Sequence, residues 1–369
     1  MNDLPESVLQ FGAGNFLRAF ADLFLQQAND SGQKIGRAVI VQSTPGDRAR
    51  WLNEQGGRYH VVVRGLADGR EVDRVENVES VSRALVAAEE WDEVLRVARS
   101  EHLRYVISNT TEAGYDLHDG DRSDSRPPGS FPAKLLCVLR ARYEAGAPGL
   151  TIVPCELRDH NADLLRGIVV GLAKTWGSPQ PLIDWISRDC VWLNTLVDRI
   201  VTGRPREHPL LETDRLLVAA EPFAFWAVES RGGTPFFENP AIHRVDEVQP
   251  YALRKVRILN GAHTALVART RNSSLSTVRE AVLHPEIRPW LEELLFQEIL
   301  PAVDERIEDG ERFARQVLER FANPFVEHKL SDIALYHDKK VKMRLVPTRE
   351  EYEAKFGRPP KLLSELLET

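Results

Sequence analysis

The chain has 369 residues, with 48 Lys and Arg against 55 Asp and Glu for a formal net charge of −7, and 43% of its residues are hydrophobic. A chain of this length is ordinarily divided between two domains, each able to bury its own core, and the acidic balance removes the positive field by which a protein attracts nucleic acid. Three cysteines, Cys137, Cys155 and Cys190, form no CxxC pair, which argues against a disulfide framework and a structural zinc site and suits a reducing compartment.

The first residues, MNDLPESVLQFGAG, lack the basic flank and apolar run of a signal peptide, and no stretch is apolar for long enough to cross a bilayer. A cytoplasmic protein with no membrane partner is expected. Short β-branched runs at 7–11, 38–42, 59–64, 105–108 and 151–154 alternate with helical patterns at 16–27, 91–100 and 132–144. That rhythm predicts an α/β fold, a mostly parallel sheet covered by helices. Ser130 stands as the N-cap of the third helix, with Pro132 in its first turn. From Tyr251 onward helical spacing dominates, at 253–268, 287–300 and 312–321, which predicts an all-helical second domain. Loops rich in Gly, Pro and charge lie at 203–209 and 231–240, and the second sets the expected boundary, with domains 1–245 and 246–369.

Two segments carry candidate chemistry. Phe11, Gly12, Ala13, Gly14, Asn15, Phe16 and Leu17 put a G-x-G pair after the first strand and at the mouth of a helix, where a pyrophosphate could approach the backbone. Leu17 replaces the third small residue of the usual fingerprint, and Gln42-Ser43-Thr44 supplies no acidic group for a ribose hydroxyl, so a bare tight turn is the competing reading. In the second segment, at about 100° per residue on an α-helix, Asn260 and His263 fall within about 60° of each other and Lys255 about 80° from His263. Such a set offers a proton-transfer group, a neutral donor for a developing alkoxide and an imidazole to orient them. A helix with a solvated lysine and a hydrogen-bonded histidine remains the alternative. The run Asp116 to Asp121 lacks the ligand alternation of a calcium loop and reads as solvated surface, and His102, His208, His243, His328 and His337 have no metal-binding spacing. No metal is expected, and no G-x-S-x-G elbow supports a serine hydrolase.

Jointly, QFGAGNFLRAF (10–20), VIVQSTPG (39–46), SNTTEAG (108–114), RPPGSFPAKL (126–135), PCELRDHNADLL (154–165), NTLVDRIV (194–201), AEPFAFW (220–226), KVRILNGAHTALV (255–267) and ERFANPFVEHKLSDIAL (319–335) resemble the polyol-specific long-chain dehydrogenases, the mannitol dehydrogenase family. The resemblance spans nearly the whole chain. It implies a Rossmann-like, doubly wound first domain and a metal-independent enzyme using NAD, with Lys255 as general acid/base. Asn161 and Asn260 are then donors to the substrate oxygen, His263 orients or binds substrate, and Asp198 supports the site. Gln42 and Ser43 fall near the adenosine ribose, and Asn109, Thr110 and Thr111 on the nicotinamide side.

The branch it most resembles implies a small sugar-acid substrate, a keto-uronate such as tagaturonate reduced to altronate. For its carboxylate, Arg199, Arg257 and Arg344 are the candidate clamps. A polyol or fructuronate dehydrogenase, and a shortened relative that binds NAD without turnover, are the alternatives. An ordinary lysine titrates at about 10.4, so burial and a nearby cation such as Arg254 or Arg257 are expected to bring Lys255 toward neutrality. Relatives read something like LNSISKFK where this chain has Leu335 to Lys342, and carry further helices beyond Leu363. The stripe Leu362, Leu363, Leu366 and Leu367 is therefore expected to dock on its own helical domain or, preferentially, across a homodimer interface.

Overall fold

The computed structural model describes residues 3–110, 112–230 and 236–368. Six strands, Val81–Val86, Arg37–Gln42, Glu6–Phe11, Tyr105–Ser108, Thr151–Pro154 and Val191–Trp192, lie side by side in that order, and each neighbouring pair is parallel. Taken along the chain the order is 3-2-1-4-5-6, the doubly wound Rossmann arrangement, whose direction reverses between Glu6–Phe11 and Tyr105–Ser108. The central strands are nearly uninterrupted apolar runs because helices cover both faces of such a sheet. Leu9, Val41, Val106 and Ile152 accordingly share one core with Val94, Leu135, Val138 and Leu165 from the helices Trp91–Ala98, Phe131–Glu144 and Asn161–Thr175.

Several local expectations are corrected. Val81–Val86 is an edge strand whose Arg83 pairs with Glu6, and its mixed polarity hides it in the sequence. The run at 59–64 does form a strand, Tyr59–Ala67, but in a separate four-stranded sheet where it pairs parallel with Val218–Ala220. The helical pattern at 16–27 is broken into Asn15–Arg18 and Ala21–Asp30. Phe20 leaves the helical region there, and its ring packs against Phe16, Phe24 and Trp226 at centroid distances of 4.8, 4.7 and 5.1 Å. Asp121, expected on a solvated loop, is buried and accepts from Ser130 Oγ and from the Gly129 and Ser130 amides. The Ser130 hydroxyl therefore serves Asp121 and does not cap the helix it precedes.

The chain divides into two compact units: residues up to 63 with 74–220 and 224–248, and a second unit comprising 249–369 with the short segments 64–73 and 221–223. The second is largely helical around Ile258, Leu266, Leu291, Leu295, Phe313, Val317 and Leu363. Two of its helical stretches contain a π-turn, Lys255–Asn260 between Gln249–Arg254 and Gly261–Thr270, and Leu294–Ile299 after Ile287–Glu293. The final helix, Lys361–Leu367, buries Leu362 and Leu363 in this core, with Leu366 and Leu367 packed beside them. Glu298 accepts from the Leu362 and Leu363 amides, both at 2.8 Å, which satisfies donors at that helix's N-terminus. The leucine stripe thus packs on its own unit. No helix among the described residues is long and apolar enough to cross a membrane.

Candidate active site

The first unit builds a cradle at the point where the strand order reverses. Gly12 N–H donates to the Val41 carbonyl and Asn109 N–H to the Phe11 carbonyl, each at 3.1 Å, joining the loop to both neighbouring strand ends. Gly12 has φ +124°, and a Cβ there would lie 3.0 Å from the Asn109 carbonyl oxygen and 3.3 Å from Leu17 Cδ1. Leu17 therefore fills the place beneath the loop that a small third residue would leave empty. Gly14 differs: its backbone, at φ −71° and ψ 167°, suits any residue, yet a Cβ would meet nothing within 4 Å. The first bond of the following turn runs from Arg18 N–H to the Gly14 carbonyl at 3.4 Å, so the amides ahead of it have no intrahelical acceptor. Open space over Gly14 beside amides that no described residue claims suits a pyrophosphate. Ala13 is buried, Phe16 stacks on Phe20, and Asn15 Oδ1 accepts from Arg18 Nη2 at 2.7 Å.

The remaining candidates of this unit separate into open and engaged groups. Gln42 donates to the Thr44 and Gly46 carbonyls at 3.0 and 2.7 Å and accepts from Ala49 N–H at 2.8 Å, so it shapes the loop after its strand. Ser43 beside it is exposed. Asn109 donates to the Cys155 carbonyl at 2.7 Å, while Thr110 donates through both its amide and its hydroxyl to Glu156, at 2.8 and 3.0 Å. Thr111 lies outside the described residues.

Glu156, which the sequence reading passed over, also accepts from Ser108 and Tyr115 at 3.1 and 3.2 Å and so fixes the turn after Tyr105–Ser108. Burial raises its carboxyl above the ordinary range despite those donors. Only its position one residue after Cys155 in the PCELRDHN segment could have signalled it.

Asn161 is buried and engaged in the protein's own hydrogen bonds. It is 1% exposed; Nδ2, with two hydrogens, stands 3.0, 3.1 and 3.2 Å from the Pro154, Glu156 and Thr195 carbonyls, and Oδ1 accepts from Thr195 N–H at 2.9 Å. Its amide ties the ends of two strands. Asp198 and Arg199 are buried at the end of Thr195–Asp198, with Arg199 Nη1 donating to the Ala19 carbonyl at 2.7 Å. A guanidinium so placed holds the backbone and is not an open clamp.

In the helical unit the 100° wheel is corrected by the π-turn. Its i→i+5 bonding sets Lys255 and Asn260 one wide turn apart, on the same side of the helix. Both side chains are half-buried. Gly261–Thr270 then carries His263, 7% exposed, with its ring stacked on Phe321 at 4.2 Å and edge-on to His328 at 4.7 Å. Burial holds this imidazole well below the ordinary histidine range, helped by His328, Arg320, Arg344 and Lys340. It is neutral near pH 7, and its buried Nε2 has no hydrogen-bond partner among the described residues. His263 is therefore a neutral donor or acceptor, not an acid.

Of the arginines here, Arg257 donates to Thr348 Oγ1 at 2.8 Å and pairs with Glu351 at 3.0 Å, which offsets its charge. Arg254 lies over the Phe313 ring at 4.4 Å. Arg344 donates only to a neutral group, Thr264 Oγ1 at 3.2 Å, and makes no ion pair among the described residues. Lys340, a second cation acting on His263, donates to the Ile333 carbonyl at 2.7 Å. Lys340, His328 and Phe321 were not singled out as site residues; they lie far from His263 in sequence, and only folding groups them around it.

Residues 6–238 match the mannitol dehydrogenase Rossmann domain and residues 247–366 the mannitol dehydrogenase C-terminal domain. The chain belongs to the mannitol dehydrogenase family. Among curated members, it is 40% identical to an altronate oxidoreductase of Halalkalibacterium halodurans, across 98% of this chain and 74% of the relative. It is 37% identical to the altronate oxidoreductase of Bacillus subtilis, across 97% of this chain and 78% of the relative. Among solved structures, a D-sorbitol dehydrogenase in substrate-free form has a TM-score of 0.86 at 22% identity, covering 99% of this chain and 80% of its own. Pseudomonas fluorescens mannitol 2-dehydrogenase, in a ternary complex with NAD and D-mannitol, has a TM-score of 0.78 at 22% identity, covering 99% and 78%. These two likenesses place this mannitol dehydrogenase family member in the same fold.

Proposed function

We propose that this chain is an NAD-dependent oxidoreductase that interconverts a keto-uronate and its sugar acid, reducing tagaturonate to altronate. The observation that carries the reading is the match of nearly all of this chain to altronate oxidoreductases, at 37–40% identity over 97–98% of the chain. The cradle around Gly12 and Gly14 would hold the pyrophosphate, with Ser43 toward the ribose and Asn109 and Thr110 toward the nicotinamide. When bound, NADH supplies the hydride. As the carbonyl oxygen gains charge, Asn260 donates a hydrogen bond to it and Lys255 delivers the proton that makes it a hydroxyl. His263, neutral and with Nε2 unpartnered, offers a hydrogen bond to a substrate hydroxyl without competing for that proton.

A carboxylate-bearing substrate is favoured over an uncharged polyol by Arg344 and Lys340, the two cations near His263 that no carboxylate neutralises among the described residues. Initial rates with NADH against tagaturonate, fructuronate and fructose test the proposal, and tagaturonate should be reduced fastest. Lys255→Ala should lower turnover at least about a hundredfold with NADH affinity kept, the usual scale for a lost acid/base. Lys255→Arg should not rescue it, because a guanidinium does not release its proton near neutrality. Equal rates on tagaturonate and fructose would sink the substrate assignment, and normal turnover by Lys255→Ala would sink the mechanism.

A further inference from the structure

Behind the glycine loop lies a buried polar cluster with too few hydrogens for the acceptors it contains. Asp22, on the helix Ala21–Asp30, is fully buried, and its Oδ2 stands 3.0 Å from the Tyr59 hydroxyl and 3.4 Å from Gln10 Nε2. The Tyr59 hydroxyl stands equally 3.0 Å from the Arg18 carbonyl. A phenol has one hydrogen and cannot serve both oxygens. Gln10 Nε2 also donates to the Gly12 carbonyl at 3.1 Å, while Asp22 Oδ1 and Gln10 Oε1 are buried with no partner among the described residues. An ionised Asp22 would leave one carboxylate oxygen bare and the Arg18 carbonyl facing a lone pair, an expensive arrangement without water. A protonated Asp22 lowers this cost: the acid donates to Tyr59 Oη, Tyr59 donates to Arg18, and the oxygen left without a donor belongs to a neutral acid instead of a carboxylate.

We propose that Asp22 is a positioning residue for the cofactor loop, acting as a neutral acid: its proton completes a relay through Tyr59 to the Arg18 carbonyl, and loss of that proton weakens NADH binding. The relay ends on the turn Asn15–Arg18, directly after the cradle, and Gln10 links the same carboxyl to the Gly12 carbonyl. When the proton leaves to solvent, the Tyr59 hydrogen turns to the new carboxylate and Arg18 loses its donor. A negative charge then stands behind the site meant for a pyrophosphate. Burial pushes the Asp22 carboxyl up to about 7, against the opposing pull of Tyr59, Gln10 and Arg18. The charged groups facing the cluster are few. Arg18 is held by Asn15 and the Leu216 carbonyl, Tyr59 is raised out of range by burial, Asp214 acts on Arg18 and Tyr59, Arg48 acts on Arg18, and Arg199 is bonded to Ala19.

The inference rests on the reading of Gly12 to Asn15 as a nucleotide cradle, and the experiment separates the two. NADH affinity is titrated by fluorescence from pH 6 to 8.5 in the intact wild type, Asp22→Asn, Tyr59→Phe and Gly14→Val. Wild-type affinity should fall about five- to tenfold across the range, the effect of a proton whose pKa shifts by up to about one unit on binding. Asp22→Asn, which cannot titrate, should show a flat profile. Tyr59→Phe should bind weakly at pH 6 with no slope, and it carries the test if Asp22→Asn does not fold. A wild-type slope retained in Asp22→Asn, or a flat wild type that Gly14→Val still weakens, overturns the Asp22 role and leaves the cradle standing. No NADH binding by the wild type at any pH overturns both.

Discussion

The glycine pair Gly12 and Gly14 allows the cofactor reading to be separated from folding. Gly14→Val adds a side chain where nothing lies within 4 Å, on backbone at φ −71° that any residue adopts. Its cost to the free protein is confined to the poorer cap preference of valine, up to about 1 kcal/mol. Gly12→Ala, in contrast, forces a Cβ to 3.0 Å from the Asn109 carbonyl at φ +124°, strain of about 1–3 kcal/mol whether or not a ligand binds. The informative quantity is the stability gained on adding NADH. At a hundred times the wild-type Kd that gain is about 2.7 kcal/mol, and if Gly14→Val weakens binding a hundredfold it falls to about 0.4 kcal/mol. Urea unfolding midpoints with and without NADH measure it directly. Retention of the full increment by Gly14→Val would refute the claim that a pyrophosphate occupies the space over that residue.

Other perturbations address the scaffold. For Glu6, burial alone would raise the carboxyl, but Arg83 and Ser82 outweigh it and hold it below the ordinary range. Its contribution is therefore present above the unfolded value of about 4.3 and is lost as pH falls through the lower folded value. Glu6→Gln should accordingly cost about 1 kcal/mol at pH 7, with the gap closing in acid unfolding curves below about pH 4. Glu298→Ala removes the acceptor of the Leu362 and Leu363 amides and should cost about 1–3 kcal/mol locally, read as faster hydrogen exchange and proteolysis within Lys361–Leu367. All three cysteines are buried, which raises Cys137 to about 11, Cys190 to about 12 and Cys155 well above its ordinary value. A thiol reagent at pH 8 should therefore label the native protein slowly and all three sites quickly in urea.

The alternating strands and helices of the first half, the glycine loop and the helical character of the second half were legible in the sequence. Each is a local pattern: apolar runs that need cover on both faces, missing Cβ atoms at a strand end, and apolar residues at helical spacing. The family was legible for a related reason, since many short segments kept their order along the chain. Strand order was not local. Val81–Val86 and Val191–Trp192 become strands only because a neighbour offers hydrogen bonds, and Tyr59–Ala67 joined another sheet although its sequence resembles the central strands. The state of each polar candidate was equally hidden. Asn161, Gln42, Arg199 and Arg257 look as available as Asn260, Ser43 and Arg344 until folding supplies their partners. A side chain's chemistry is set by which donors, acceptors and charges stand within about 3 Å of it. Sequence names the group, but only the tertiary structure decides whether anything is left for it to bind.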